Sequence, residues 1–293
     1  MKYVITGSLG NVGKPLSEKL IAGGHDVTII TSNANKIKTI EELGAAAAVG
    51  SVEDVQFLTD AFKDADAVFT IVPPKWDAIN WKEWIANIGT NYARAIKETD
   101  VRYVVNLSSM GAHMPEGCGP VSGLYDVEQS LNALEGVNIK HLRPAYFYHN
   151  LMAQYNMIKH AGIMGANFGD SPVPMVHPAD VAEAAAEELL NLAFTGHRVR
   201  YIVGDECTGA EISKIIGEAI SKPGLPWVVF SDEQNLKGAI QAGLSEEVAK
   251  NYTEMGTAIR TGEMTEDYYR NKSALSKIKF RDFAAEFAAA FNG

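Results

Sequence analysis

The chain has 293 residues, 46% of them hydrophobic and 21% charged, with a formal net charge of -10. This is the composition of a globular protein long enough for one large domain or for a large and a small one. The acidic balance excludes a phosphate-binding nucleic-acid surface, which needs clustered Lys and Arg to displace counterions, so small molecules are the expected partners.

The first strand candidate, Tyr3-Val4-Ile5, begins two residues after Met1, which leaves no room for a signal peptide. No apolar run approaches the roughly 20 residues that span a bilayer, so no membrane is expected among the partners. Cys118 and Cys207 match no metal-ligand spacing and are expected as reduced thiols, which together with the missing leader points to the cytoplasm. Three glycines at intervals of three, Gly7, Gly10 and Gly13, separate that strand from Val12, Leu16 and Leu20, which recur as on one helix face. Gly23-Gly24 ends the helix. "DVTIITS" reads as a second strand and "AAAAV", residues 45–49, as a weaker third; Val55, Leu58 and Phe62 then fall at helical spacing. "ADAVFTIV" is a fourth strand closed by Pro73-Pro74, which cannot continue a ladder. A helix carrying Ile85, Ile88, Tyr92 and Ile96 leads to a fifth strand, "YVVNLSS", and "NIKHLRP" and "VRYIVG" extend the sheet. Strands alternating with helices pair in parallel through right-handed crossovers, which predicts an α/β fold with a doubly wound, Rossmann-like sheet.

From about residue 205 the rhythm changes. Thr208 with Glu211, and Ser231 with Gln234, have the spacing of capping boxes opening two helices, with a short strand "WVVF" between them. Phe283, Phe287 and Phe291 form one stripe in the tail, a docking face rather than a cofactor box. The reading is therefore a dinucleotide domain over 1–150, its sheet completed by about 172–204, and a smaller, mostly helical substrate-side domain over 151–171 and 205–293. A cleft between the two is the expected site.

A strand-turn-helix unit aims backbone N–H groups and the positive end of a helix dipole at whatever lies above the turn, and glycines let a phosphate come close. Gly7, Gly10 and Gly13 therefore predict a dinucleotide pyrophosphate site. A carboxylate at the end of the second strand would hold the adenosine ribose and repel a 2'-phosphate. The chain has Thr31, Ser32 and Asn33 there, with Lys36 just beyond, and hydroxyls, an amide and an ammonium can all donate to a phosphate. NADP is favoured, with NAD as the alternative.

"VITGSLGNVG", "ADAVFTIVPP", "VVNLSSMGA", "LRPAYFYHN" and "HPADVAEAA", in that order, resemble the NmrA-like branch of the atypical short-chain dehydrogenase/reductase superfamily. The resemblance implies that Ser8, Asn11 and Val12 join the glycines around the pyrophosphate, and that Thr31, Ser32 and Lys36 face the adenosine ribose or its phosphate. It implies further that Ser51 and Val52 flank the adenine, and that Val72, Pro73 and Pro74 lie on the ribose side of the nicotinamide. Ser108 and Ser109, with Pro144, Ala145, Tyr146 and Phe147, fall by the same resemblance beside the nicotinamide and the reaction centre. His177 is left open between a pocket residue and a residue packed at a helix start, and Asn150 reads as structural.

The wider superfamily places a Tyr and a Lys four apart on one helix as a proton donor and its activator. Here the pair is Tyr125 and Gln129. Both still share a helix face, and Gln129 can hydrogen-bond a ribose, but a neutral amide cannot stabilise a tyrosinate by charge. Tyr125 stays a candidate proton donor against the alternative of a pocket or packing tyrosine. The short interval from Ser109 to Tyr125 counts against a nucleotide-sugar epimerase. The seven histidines show no metal-ligand spacing, and no Gly-x-Ser-x-Gly nucleophile elbow occurs. Two functions remain. One is a reductase passing hydride to an electron-poor small molecule such as a quinone, dye or activated carbonyl, with Trp76, Trp81, Tyr146, Phe147 and Tyr148 as candidate pocket walls. The other is a redox sensor of the NmrA type that binds the dinucleotide without turnover and signals to a protein partner. Oligomeric state stays open.

Overall fold

The computed structural model describes residues 1–293. Strand β1 (Lys2–Ile5) leads through the glycine turn into α1 (Gly13–Ala22), followed by β2 (Asp26–Thr31), α2 (Ile37–Glu42), β3 (Ala46–Val49), α3 (Val55–Phe62) and β4 (Ala67–Ile71). Then come α4 (Trp81–Lys97), β5 (Tyr103–Leu107), α5 (Pro120–Asn132) and β6 (Asn138–Pro144). Local chemistry sets the boundaries. Asp54 accepts from Phe57 N and Asn80 from Glu83 N, which satisfies free donors at the starts of α3 and α4. Pro120 takes the first position of α5, where its missing N–H costs nothing. Gly23 and Gly24 follow α1, and Gly24 sits at φ +77°, so the helix stops where the glycine pair predicts.

The remaining elements are β7 (Tyr146–Phe147), α6 (Tyr155–Ala161), β8 (Met164–Ala166), β9 (Val173–Val176), α7 (Pro178–Asn191), β10 (His197–Ile202), β11 (Asp205–Cys207) and α8 (Gly209–Ala219). They close with β12 (Trp227–Val229), α9 (Asp232–Gln241), α10 (Glu246–Thr261), α11 (Glu266–Arg270) and α12 (Phe280–Asn292). Seven strands form one sheet in the order β3-β2-β1-β4-β5-β6-β10, every pair parallel. This is the doubly wound, Rossmann-like sheet that the alternation predicts. Of the stretch 172–204, only β10 joins it, because β9 pairs instead with β7 and β11 in a separate three-stranded sheet.

Side-chain alternation explains the layers. In β1, Tyr3 and Ile5 point into one core with Leu16 and Leu20 of α1, while Val4 points into the other with Leu58 and Phe62 of α3, Tyr92 of α4 and Val127 of α5. A sheet covered on both faces needs apolar residues at consecutive positions, which is why β1 reads as a continuous run. Lys19 of α1 meets Glu183 of α7 at 2.5 Å across the first face. Thr208/Glu211 and Ser231/Gln234 both close their capping boxes, opening α8 and α9. Phe280, Phe283, Phe287 and Phe291 of α12 are buried against Tyr148 and Tyr155 at centroid distances of 4.7 to 5.6 Å, edge-on except for the tilted Tyr148–Phe283 pair. The stripe is a docking face, as its spacing predicts. No helix is long and apolar enough to cross a membrane.

Candidate dinucleotide and acceptor site

Chain order reverses beside β1, whose neighbours are β2 and β4, so a crevice opens at the carboxyl ends of these strands. The glycine turn forms its floor. Gly7 has φ +102°, and a Cβ there would lie 2.1 Å from Ile71 Cγ2 at the end of β4. At Gly13 a Cβ would lie 2.3 Å from the Ser8 carbonyl oxygen. Both glycines are therefore required by the loop's own packing. Gly10 is different: a Cβ would meet only the Gly7 carbonyl oxygen at an ordinary 3.5 Å, and Gly10 and Asn11 are exposed. Bareness at Gly10 serves nothing inside the protein and leaves backbone open to an incoming group.

None of the N–H groups from Gly7 to Val12 donates to a backbone carbonyl, and α1 has neither a capping side chain nor an acidic residue in its first turn. Unpaired donors at a helix N-terminus with no resident anion make an anion receptor, which suits a pyrophosphate. Beside it, three groups of the expected ribose corner come together. Ser8 Oγ donates to Thr31 Oγ1 at 3.1 Å, Lys36 Nζ donates to Ser8 Oγ at 3.4 Å, and Asn33 N donates to Thr31 Oγ1 at 3.2 Å. Ser32 lies exposed on the same turn. Ser51 is exposed at the end of β3, and the Val52 carbonyl accepts from Asn91 Nδ2 of α4 at 3.3 Å.

Further along the rim, a cavity of about 300 Å³ is lined by Val72, Pro73, Pro74, Ser108, Ser109, Pro144, Ala145, Tyr146 and Phe147, the residues placed near the nicotinamide by resemblance. Its far wall comes from α5 (Pro120, Val121, Leu124), α10 (Tyr252, Met255), Met264, Trp76 and Trp81. A second cavity of about 640 Å³, walled by β8 and α9, shares Trp76, Tyr146, Asn150, Tyr252 and Met255 with the first. The two form one cleft between the sheet rim and the carboxyl-terminal helices.

Tyr125 and Gln129 line neither cavity, and Gln129 is exposed. The helix turns Val121, Leu124 and Glu128 inward, and Tyr125 and Gln129 lie one residue, about 100°, further round. Tyr125 is thus not placed as a proton donor to the cleft. Glu128 is 2% exposed and accepts from Ser108 Oγ at 2.5 Å and from Arg143 Nε and Nη2 at 3.0 and 2.6 Å. Arg143 continues to Tyr201 Oη and Asp267 Oδ2, both at 3.0 Å, and Tyr201 donates to the same carboxylate. Burial pulls the Arg143 guanidinium down, yet the hydrogen bonds and charge of Glu128 outweigh it and hold it above its ordinary value. Because the Ser108 hydroxyl proton is committed to Glu128, Ser108 can accept from a ligand but not donate to it. Sequence reasoning missed Glu128 and Arg143; the available signal was an arginine inside the buried strand "NIKHLRP".

His177 N-caps α7, its Nδ1 accepting from Ala179 N at 3.1 Å, so its proton sits on Nε2, 3.3 Å from Glu286. It lines neither cavity and belongs to the helix start. Asn150, read as structural, instead lines both cavities with its amide free of protein partners. Tyr148 is a core residue, donating to the Ile278 carbonyl at 3.2 Å, whereas Trp76, Trp81, Tyr146 and Phe147 do line the cleft.

Over its full length the chain is 25% identical, across 98% of both chains, to a (4-alkanoyl-5-oxo-2,5-dihydrofuran-3-yl)methyl phosphate reductase of Streptomyces griseus subsp. griseus. Its fold matches that of an NADPH-dependent quinone oxidoreductase from Escherichia coli complexed with NADPH, with a TM-score of 0.81 at 18% identity, covering 99% of this chain and 100% of the other. A triphenylmethane reductase of Citrobacter sp. complexed with NADP(H) matches with a TM-score of 0.78 at 19% identity, covering 98% and 99%. The model of the NAD(P)H-binding family matches residues 7–191, the stretch that carries the glycine turn, the ribose corner and the strand ends around the smaller cavity, and the chain belongs to that family.

Proposed function

We propose that this protein is a reductase that holds NADPH along the sheet rim and passes its hydride to a small, electron-poor acceptor, a quinone, dye or activated carbonyl, in the larger cavity. The observation that carries the reading is the single cleft running from a cavity bounded by the ends of β4, β5 and β6 into a roomier apolar chamber. The quinone oxidoreductase and triphenylmethane reductase identities of the two structural neighbours, and the reductase activity of the Streptomyces relative, support it.

In this reading the N–H groups of Gly7 to Gly13, with Ser8, Asn11 and Val12, bind the pyrophosphate. Thr31, Ser32 and Lys36 take the 2'-phosphate, Ser51 and Val52 flank the adenine, and Val72 to Pro74, Ser108, Ser109 and Pro144 to Phe147 enclose the nicotinamide. The dinucleotide would rest on residues 1–150 with 172–204, and residues 151–171 with 205–293 would cover the acceptor. A hydroxyl-rich, cationic corner without a carboxylate favours NADPH over NADH. When bound, the cofactor supplies the hydride; the chain orients the two reactants and excludes water from between them. With Tyr125 outside the cleft and Ser108 tied to Glu128, proton delivery falls to solvent or to the Tyr146 and Tyr252 phenols, which suits an acceptor that needs little acid assistance.

Titration of intrinsic fluorescence with NADPH and NADH, followed by quinones, dyes and aldehydes, tests this. Tighter binding of NADPH with oxidation on adding an acceptor is expected. Unequal binding of oxidised and reduced dinucleotide with no turnover would favour a redox sensor acting through a protein partner, a second reading supported by the displaced Tyr125–Gln129 pair. No binding would end both.

A further inference from the structure

Both cavities of the cleft are closed by side chains that carry no permanent charge. Neither wall contains a Lys, Arg, Asp or Glu. His149 is the one histidine in the walls, and burial, then the neighbouring His177, lower its pKa against the opposing pull of Glu286, a net shift that disfavours its charged form. Most of the wall amides are at least partly committed. Gln154 donates to the Gly165 carbonyl at 3.1 Å and accepts from Gly165 N at 3.2 Å, and Asn167 Nδ2 donates to Asp232 Oδ1 and the Thr253 carbonyl, both at 2.8 Å. Asn235 Nδ2 donates to Thr253 Oγ1 at 3.1 Å and Gln234 Oε1 accepts from Ser231 N at 2.9 Å, which leaves the Asn150 amide, the Gln234 NH2 group, the Trp81 indole N–H and the phenols of Tyr146 and Tyr252 among the free donors, neutral groups that can donate to a carbonyl but carry no charge to neutralise an anion. Aromatic faces supply the rest. Trp76 is 53% exposed, lies at 23° to the Tyr252 ring with centroids 6.3 Å apart, and borders both cavities.

We infer that the cleft binds uncharged, flat aromatic acceptors stacked against Trp76 and Tyr252, and rejects acceptors that carry a phosphate, sulfonate or carboxylate. The inference rests on the hydride-transfer reading and narrows it. An anion placed in these walls would lose its water without gaining a cation, whereas a neutral quinone exchanges water for aromatic contact. It separates this chain from its Streptomyces relative, a reductase of a methyl phosphate ester. In the reaction a quinone takes up one hydride from NADPH and one proton from water to give the hydroquinone, leaving NADP in oxidised form.

The test compares naphthoquinone with naphthoquinone sulfonate, in which the sulfonate makes the ring the better hydride acceptor, so a preference for the neutral compound reports the site and not the chemistry. Quenching of intrinsic fluorescence is measured with oxidised NADP present, where no turnover occurs, and kcat/KM is measured with NADPH. The neutral quinone should bind at least about tenfold more tightly and show the higher kcat/KM. Gly238→Lys adds a cation to the larger cavity at a helical position where a Cβ meets nothing within 4 Å, and it should narrow or invert that preference with NADPH affinity unchanged. Trp76→Ala should raise KM for the neutral quinone about fivefold more than it changes kcat. Equal affinity for the two quinones, or a preference for the sulfonate, in the unaltered protein overturns the inference. Loss of turnover with both, while neutral binding stays tighter, overturns the reductase reading and leaves the binding preference established.

Discussion

The glycine turn and the larger cavity belong to one candidate site, yet they are built from opposite materials. The turn offers bare N–H groups from Gly7 to Val12, with two hydroxyls and the Lys36 ammonium joined beside them by 3.1 to 3.4 Å contacts around Ser8 and Thr31. The cavity offers aromatic faces, a free amide and no Lys, Arg, Asp or Glu. An obligate anion calls for donors fixed in advance by backbone geometry, whereas an uncharged acceptor calls for shape and dryness. Between the two lies the Ser108–Glu128–Arg143 network, which fixes the strand ends without reaching into the cleft as a charge.

That contrast can be broken in order of expected effect. Arg143→Met should cost about 3–5 kcal/mol in urea unfolding, because it leaves Glu128 buried without its cation; a loss below about 1 kcal/mol would mean the network is incidental. A pH series on the unaltered protein should show a smaller effect from His141. This imidazole is 1% exposed, and its pKa is lowered to about 4, chiefly by burial. Its Nδ1 takes Asn106 Nδ2 at 3.1 Å and its Nε2 gives to Asn132 Oδ1 at 3.0 Å, an arrangement for the neutral ring. The unfolded chain protonates near its ordinary value while the folded chain does not, so stability should fall as pH drops between about 6.5 and 4, by about 2–3 kcal/mol in all. His141→Asn should flatten that slope.

Two changes then probe the turn alone. Gly10→Ala should leave the melting temperature unaltered, since the added methyl meets only the Gly7 carbonyl oxygen at an ordinary 3.5 Å, yet weaken NADPH and NADH alike by about tenfold in a fluorescence titration. Lys36→Ala should weaken NADPH about five- to tenfold and leave NADH as it was; equal loss for both would refute the 2'-phosphate assignment. The smallest effect belongs to Tyr125→Phe. Outside both cavities, it should change turnover by less than about twofold at every pH, and a large loss would restore a proton-donor role.

Much of this could be read from residue order. Continuous apolar runs marked strands covered on both faces, Gly23-Gly24 and the two capping boxes marked helix ends, and the spacing of Phe283, Phe287 and Phe291 marked a docking stripe. These are local properties: backbone conformation and helix or strand periodicity depend on neighbours within one or two turns. The glycine turn was legible for the same reason, although only the folded chain separates Gly7 and Gly13, bare because Ile71 and Ser8 crowd them, from Gly10, bare toward solvent.

The rest depended on contacts between residues far apart in the chain. Tyr125 was placed by a four-residue interval, and a rotation of about 100° on the helix decided instead for Leu124 and Glu128. Asn150 looked structural until α9 and α10, about 100 residues further on, closed a cavity over it. The strand β9 left the main sheet because β7 and β11 offered it partners. Sequence alone determined the parallel sheet, the helix ends and the glycine turn before a helix, because each follows from short-range geometry. Tertiary structure decided which side chains face the cleft, which buried charges are paired and that the cavity walls hold no Lys, Arg, Asp or Glu, because those are properties of space enclosed between distant segments.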